Sequence, residues 1–285
     1  MINGKMGTLD IGDNLPVRVV GVVNLSPASF YKDSITLSET DVEKRIIEMI
    51  KEGADCLDIG AQSTRPIQIY GGEGRVDRIK EQEIISSTLK ICMDVLSSYD
   101  KIEVSVDTQR ENVAEISLNM GVNIINDIAG FKKENNVAKL IADYGATAVI
   151  MAAREEPGDI FEISDIILEL NRSLEIGLKC GIAENKLIVD PGIGSWEARD
   201  FKHDYNIIKN LEEFRSMNKP VYVGISRKTF IGKAINDAPP DQRLYGSLGA
   251  TIIAIVNGAH VVRTHDVRPT LEAIKVAETI LNYKE

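Results

Sequence analysis

From Val17 onward the chain repeats one pattern: a short apolar run, a polar turn, then a stretch with helical spacing. The runs are Val17–Val23, Cys56–Ile59, Glu103–Val106, Asn123–Ile125, Thr147–Met151, Lys186–Val189, Val221–Ile225 and His260–Val262. Runs that are apolar without alternation suit strands buried on both faces, which is the condition of a parallel sheet covered by helices. Eight such repeats, with no linker or break in composition, favour a closed parallel (β/α)8 TIM barrel over an open doubly wound sheet. An open sheet would also carry a glycine fingerprint after its first strand; Asn24-Leu25-Ser26-Pro27 stands there instead. Ahead of the repeats, Asn3-Gly4 reads as a two-residue hairpin turn, so a small β-ribbon is expected at the N-terminus. The expectation is one α/β barrel domain spanning residues 1–285.

The helical stretches carry their own punctuation. Thr40-Asp41-Val42-Glu43 fits a capping box, with Val42, Ile46, Ile47 and Ile50 on one face and Gly53 as the stop. A helix is expected from about Val76 to Leu96, others near Val137–Tyr144 and Ile207–Phe214, and a long one holding Ile166, Ile167, Leu170, Leu174 and Leu178. Thr270 opens the last, with Leu271, Ile274, Val276 and Ile280 available for packing. The stretch Val104–Ile128 shows the logic of the whole chain. Two apolar runs end in Asp107-Thr108 and Asn126-Asp127, joined by a helix carrying Val113, Ile116, Leu118 and Met120 before Gly121. Asp107 either caps that helix or faces a ligand.

Composition narrows the partners. With 44% hydrophobic residues, a formal net charge of −10 and three scattered cysteines, the chain can bury a large core and lacks the basic faces that nucleic acid or an anionic membrane requires. Cys56, Cys92 and Cys180 show neither CxxC nor zinc spacing, which fits reduced thiols in the cytoplasm. No apolar run approaches membrane length.

In a parallel barrel the carboxyl ends of the strands converge on one mouth, where ligands bind. Those ends carry Asn24, Asp58, Thr64 with Arg65, Asp107, Asn126 with Asp127, Asp190, Ser226 with Lys228, and Arg263 with His265. Acids and amides at the centre, with cations arriving from several loops, suit a ligand with a polar heterocycle at one end and an anion at the other. Carboxylates accept from ring N–H and amino groups, and arginine grips phosphate with two parallel bonds. The plainer readings are an exposed helix start at Arg227-Lys228 and a backbone-bonded His265. His203 and His260 have no polar company in the sequence and read as structural. Gly224–Thr229 falls short of a phosphate loop, because Arg227 stands where glycine must precede the lysine.

The segments GVVNLSPASF, DIGAQSTRP, VSVDT, IINDI, LIVDPGIG, GISRKTFIG and VVRTHDV occur in the order found in dihydropteroate synthases, which the chain resembles from about Val19 to Val267. The resemblance implies that Asp107, Asn126, Asp190 and Lys228 hold a pterin ring, with Asp58, Asp127 and Met151 in the same substrate-binding set; Met151 is equally suited to the core. It implies that Asn24, Arg263 and His265 receive a pyrophosphate, with Mg2+ at Asn24, and that Thr64, Arg65, Pro66 and Ser226 shape an arylamine site. The implied reaction is substitution at the pterin methylene, with pyrophosphate leaving, in folate or related pterin biosynthesis. A cytoplasmic homodimer is the implied assembly.

Departures from the family pattern cluster in loops. Ala28 stands where an aspartate is usual, the glycine pair after it is absent, Ile67 replaces a glycine, and the loop after Pro66 is longer. Ser195-Trp196-Glu197 replaces Phe-Gly-Lys, and Ala152 stands where a histidine is usual after Met151. These changes leave two other readings open: methyl transfer from a methylpterin to a corrinoid protein on the same floor, or a pterin-binding protein without turnover. Changed loops on an intact pterin floor further suggest that plain p-aminobenzoate is a poor acceptor.

Overall fold

The computed structural model describes residues 1–25, 38–61, 77–134, 136–194 and 200–282. A short antiparallel ribbon, β1 (Asn3–Met6) and β2 (Leu9–Gly12), precedes eight parallel strands: β3 (Arg18–Asn24), β4 (Cys56–Gly60), β5 (Glu103–Asp107), β6 (Ile124–Asp127), β7 (Thr147–Met151), β8 (Leu187–Asp190), β9 (Tyr222–Gly224) and β10 (Val261–Thr264). The hydrogen-bonded order is β8-β7-β6-β5-β4-β3-β10-β9, and a parallel bridge between Val189 and Val221 joins the two ends. The ring is therefore the expected TIM barrel.

Period-two alternation divides every strand but β5, whose inward side is polar, between two cores. Val20, Cys56, Ile124, Val149, Ile188, Tyr222 and Val261 point inward and form one apolar cluster together with Met6 and Ile11 of the ribbon. Their neighbours, such as Val19, Leu57, Ile125, Ala148, Val189, Val223 and Val262, point outward into the larger core beneath the helices. This double burial is why the strands read as unbroken apolar runs.

The ribbon closes the amino end of the barrel. Its turn is at Gly7-Thr8, not at Asn3-Gly4, which lies inside β1. Gly7 donates to Thr147 Oγ1 at 3.1 Å, and Thr8 donates its backbone N–H to Glu103 Oε1 at 2.7 Å. Asn123 Nδ2 binds the other Glu103 oxygen at 2.5 Å. Asp13, just past the ribbon, receives both Arg215 Nη groups at 2.9 Å and the Ile2 N–H at 2.7 Å, so Arg215 holds its carboxyl well below the ordinary carboxylate value. His260 is structural: its Nδ1 accepts from Val221 N at 3.0 Å.

The helices are α1 (Glu39–Glu52), α2 (Arg78–Leu96), α3 (Glu111–Asn119), α4 (Val137–Asp143), α5 (Ile163–Cys180), α6 (Phe201–Lys209), α7 (Thr229–Ala234), α8 (Leu244–Val256) and α9 (Val267–Leu281). The capping box of α1 starts two residues before the expected place: Ser38 is the N-cap and Asp41 its partner, while Gly53 ends the helix at φ 98°. No capping bond from Asp107 serves α3, whose N-cap is Arg110. The final helix opens at Val267, not Thr270, and Val276 and Ile280 face outward, 62% and 69% exposed. Helix α8 escaped the periodicity reading because it is apolar on most sides: Tyr245, Ile253 and Val256 are exposed at 84%, 54% and 58%. No helix among the described residues is long and apolar enough to cross a membrane.

Gly7 tests the closure. Its φ is +62°, and a Cβ there would overlap the Glu103 carboxylate. Gly7→Ala is expected to lower unfolding free energy by roughly 2 kcal/mol, through left-handed strain and the displaced Glu103 bonds. Urea denaturation checks this; an unchanged midpoint would mean that the turn does not anchor the ribbon.

Candidate active site

The inward residues one layer nearer the carboxyl ends are Asp58, Asn126, Met151, Asp190 and Arg263. Each lies two positions beyond the inward apolar residue of its own strand. Asn24 ends β3 and Asp107 ends β5, and the register sets Asp107 beside Asn126 and Met151 beside Asp190. The barrel thus brings these expected side chains to one mouth.

Asp58 is the hub. It is fully buried and accepts from Arg263 Nε at 2.6 Å, Ser105 Oγ at 2.7 Å and Asn126 Nδ2 at 3.4 Å. Because the Asn126 N–H group faces Asp58, its carbonyl oxygen points away, is fully enclosed and accepts no hydrogen bond. Arg263 reaches onward from Asp58 to Asp107 Oδ2 at 3.4 Å, the only hydrogen bond the Asp107 carboxylate makes among the described residues. Burial and the neighbouring Asp58 push the Asp107 carboxyl up to about 7, against the pull of Arg263.

Asp127 does not join this cluster. One residue beyond Asn126 is the opposite face of the strand, and its carboxylate accepts from Ala129 N at 2.7 Å and Phe131 N at 3.0 Å. It builds the turn after β6, so its expected place among the substrate groups is corrected. Burial raises its carboxyl to about 6. Met151 is 4% exposed and lies under Gly192, where a Cβ would stand 3.3 Å from Met151 Cγ.

Two loops close the far side. Asp190 Oδ1 accepts from Gly192 N at 2.7 Å, and Lys228 Nζ donates to the Ile193 carbonyl. Ser226 Oγ accepts from His265 N at 3.2 Å and lies 3.1 Å from His265 Nδ1. Arg227, at φ 59°, makes a two-pronged pair with Asp266 at 2.8 and 2.7 Å, tying the loop after β9 to the loop after β10. Arg45 of α1 donates to the His265 carbonyl at 2.7 Å. A cleft of about 860 Å³ is lined by Asn24 and His265 with charges of both signs, among them Arg45, Arg268, Asp41 and Glu48. Arg227-Lys228 is therefore not a bare helix start. Ser105, Arg227, Asp266 and Arg45 were missed from sequence. Ser105 could have been found, since it lies two residues before Asp107 on the same face.

Thr64, Arg65 and Pro66, and the altered positions Ala28, Ile67, Ser195 and Trp196, lie outside the described residues. Among the described residues no three His, Cys, Asp or Glu side chains are grouped as metal ligands. Any cation at Asn24 would take its other oxygens from substrate and water, as Mg2+ commonly does beside phosphates.

Acids, an amide and an arginine gathered at a barrel's carboxyl mouth define a class of ligand-handling barrels, and a family model described as pterin binding enzyme matches residues 20–265. The chain belongs to that family and, within it, to the dihydropteroate synthases, a family of transferases. The dihydropteroate synthase of Clostridium beijerinckii is 33% identical over 279 residues, covering 97% of this chain and 99% of that one. The solved dihydropteroate synthase of Clostridium difficile, in the presence of pteroic acid, superposes with a TM-score of 0.84 at 30% identity, covering 97% of this chain and all of that one. That of Xanthomonas albilineans with 4-aminobenzoic acid also gives 0.84, at 26% identity over 99% of both chains.

The Asp107 carboxyl supplies a pH test. A folded pKa raised to about 7 means that the folded state holds a proton the unfolded chain has lost, so this group's contribution to stability falls as pH rises from about 4 to 7. Carboxyl-carbon NMR should show Asp107 titrating near 7, and Asp58→Asn should shift that titration downward by removing the adjacent negative charge. Titration near pH 4 in the unaltered protein would sink this account.

Proposed function

We propose that the chain condenses 6-hydroxymethyl-7,8-dihydropterin pyrophosphate with an arylamine, p-aminobenzoate or a variant of it. The amine nitrogen attacks the pterin methylene carbon, the carbon–oxygen bond to pyrophosphate breaks with its electron pair leaving on the anion, and the nitrogen then loses a proton. The observation that carries the reading is the Asn126 side-chain oxygen Oδ1, enclosed with no hydrogen bond, beside the Asp107 carboxylate, which has only Arg263. A heterocycle bearing N–H and amino groups would satisfy both. The pteroic acid and 4-aminobenzoic acid named with the Clostridium difficile and Xanthomonas albilineans proteins support the same pair of substrates.

In this reading Asp107, Asn126 and Asp190 take the pterin's donors, and Lys228 an acceptor, with Met151 against the ring. Arg263 leaves Nη1 without a hydrogen bond among the described residues, and with Asn24 and His265 it receives the pyrophosphate. Fixed cations facing the departing anion stabilise its developing charge without reorganisation. Mg2+ would sit between Asn24 and the phosphates, adding positive charge there. Thr64, Arg65 and Ser226 remain the residues assigned to the arylamine. The protein would work in the cytoplasm as a homodimer, joined through the apolar outer face of α8 and α9 that carries Tyr245, Ile253, Val256, Val276 and Ile280.

Calorimetry with the pterin alcohol should show Asp107→Asn and Asp190→Asn binding roughly 5- to 100-fold more weakly, the effect of losing a charge-assisted bond in a buried site. Arg263→Ala should weaken the pyrophosphate ester more than the alcohol. Unchanged affinity in both aspartate variants would overturn the site. Pyrophosphate release should depend on an arylamine and Mg2+, and a panel including p-aminobenzoate identifies the acceptor. Tight pterin binding without release from any amine would leave methyl transfer or a non-catalytic binder.

A further inference from the structure

Tyr222 carries a polar group for which the barrel itself has no use. Tyr222 and Gly224 are the inward residues of β9, while Val221 and Val223 pack outward. Tyr222 is 2% exposed, and its hydroxyl is fully enclosed without a hydrogen bond. A phenylalanine would fill the same space without stranding that group, so packing alone does not account for the oxygen.

The Tyr222 ring lies in the layer directly under the polar groups of the mouth. Register sets Tyr222 beside Val261, one layer beneath Arg263, which pairs with Gly224. Gly224 has no side chain to cover the inward face above the ring; a Cβ there would stand 3.7 Å from Lys228 Nζ and 3.9 Å from Arg263 Cβ. Burial, then Asp58, Cys56 and Asp190, push the phenol's ionisation well above its usual value, with Arg263 opposing. The group is therefore a neutral O–H donor at any ordinary pH. It is as enclosed as Asn126, at 3% exposure, whose Oδ1 is likewise unmatched.

We propose that Tyr222 is a further ligand-binding residue: its hydroxyl donates a hydrogen bond to an acceptor atom of a pterin seated on the floor formed by Asp58, Asn126 and Arg263. The inference rests on the pterin reading given under Proposed function and adds a donor from β9 to the acceptors contributed by β5, β6 and β8. The bond is made only in the complex, so the free protein carries the unmatched group and the ligand relieves it.

Two properties separate this role from a structural one. Tyr222→Phe should unfold at the temperature of the unaltered protein or higher, because no bond is lost in the free state. The same variant should bind 6-hydroxymethylpterin about tenfold more weakly by calorimetry, the loss expected for one buried hydrogen bond. Tyr222→Leu, which also lacks the hydroxyl but fills less space, should lose at least as much affinity. Equal affinity in Tyr222→Phe, with the unaltered protein binding well, overturns the assignment and leaves the pterin reading intact. A lower unfolding temperature for Tyr222→Phe also overturns it, because the hydroxyl would then be bonded in the free protein. No binding of the pterin by the unaltered protein overturns both.

Discussion

A carboxylate enclosed in a barrel must be neutralised where it stands, and the Asp58–Arg263 pair is the contact on which the mouth depends. Removing one partner of such a pair leaves an uncompensated buried charge, a cost of about 3–5 kcal/mol. Asp58 does more than balance a charge. By accepting from Asn126 Nδ2 it turns that amide so its Oδ1 points away from Asp58, and by holding Arg263 Nε it directs the rest of the guanidinium toward Asp107. Two side chains on two other strands, Asn126 and Arg263, thus take their orientation from one residue that has no exposed surface. Ser105 completes the set from the neighbouring strand with a 2.7 Å bond.

Around this floor lies a second layer of control in the loops. Arg227 adopts a left-handed backbone at φ 59°, unusual for a side chain of its size, and is held there by Asp266, the Pro240 carbonyl and the hydroxyl of Ser247, which accepts its N–H. Its neighbours on either side are Ser226, bonded to His265, and Lys228, bonded to Ile193. The strain at one residue therefore places two others. Strained backbone that survives because its surroundings over-determine it is characteristic of sites rather than scaffolds.

Much of this was legible before any coordinates. Strand count, their order in the ring and the convergence of polar residues at one end follow from apolar runs alternating with helical ones. The failures have equally physical causes. Asn126 and Asp127 looked like one unit, but the pleat sends adjacent residues to opposite faces, so Asp127 spends its oxygens on a turn. Asn3-Gly4 looked like a turn by composition, yet the ribbon bends at Gly7, where the Thr147 and Glu103 side chains fix the register from across the barrel. Helix α8 lacked a polar face and so lacked a visible period. The pairing of Arg227 with Asp266, 39 residues apart, leaves no local signature in the chain.

The ribbon beneath the barrel also governs traffic. With Met6 and Ile11 packed into the amino end, that end of the barrel is filled among the described residues, and the carboxyl mouth is the end left to a ligand. Whatever rests deepest must enter first and leave last, and anything bound above it stands in its path. By filling one end, the first dozen residues thus bear on the order in which ligands could come and go at the other.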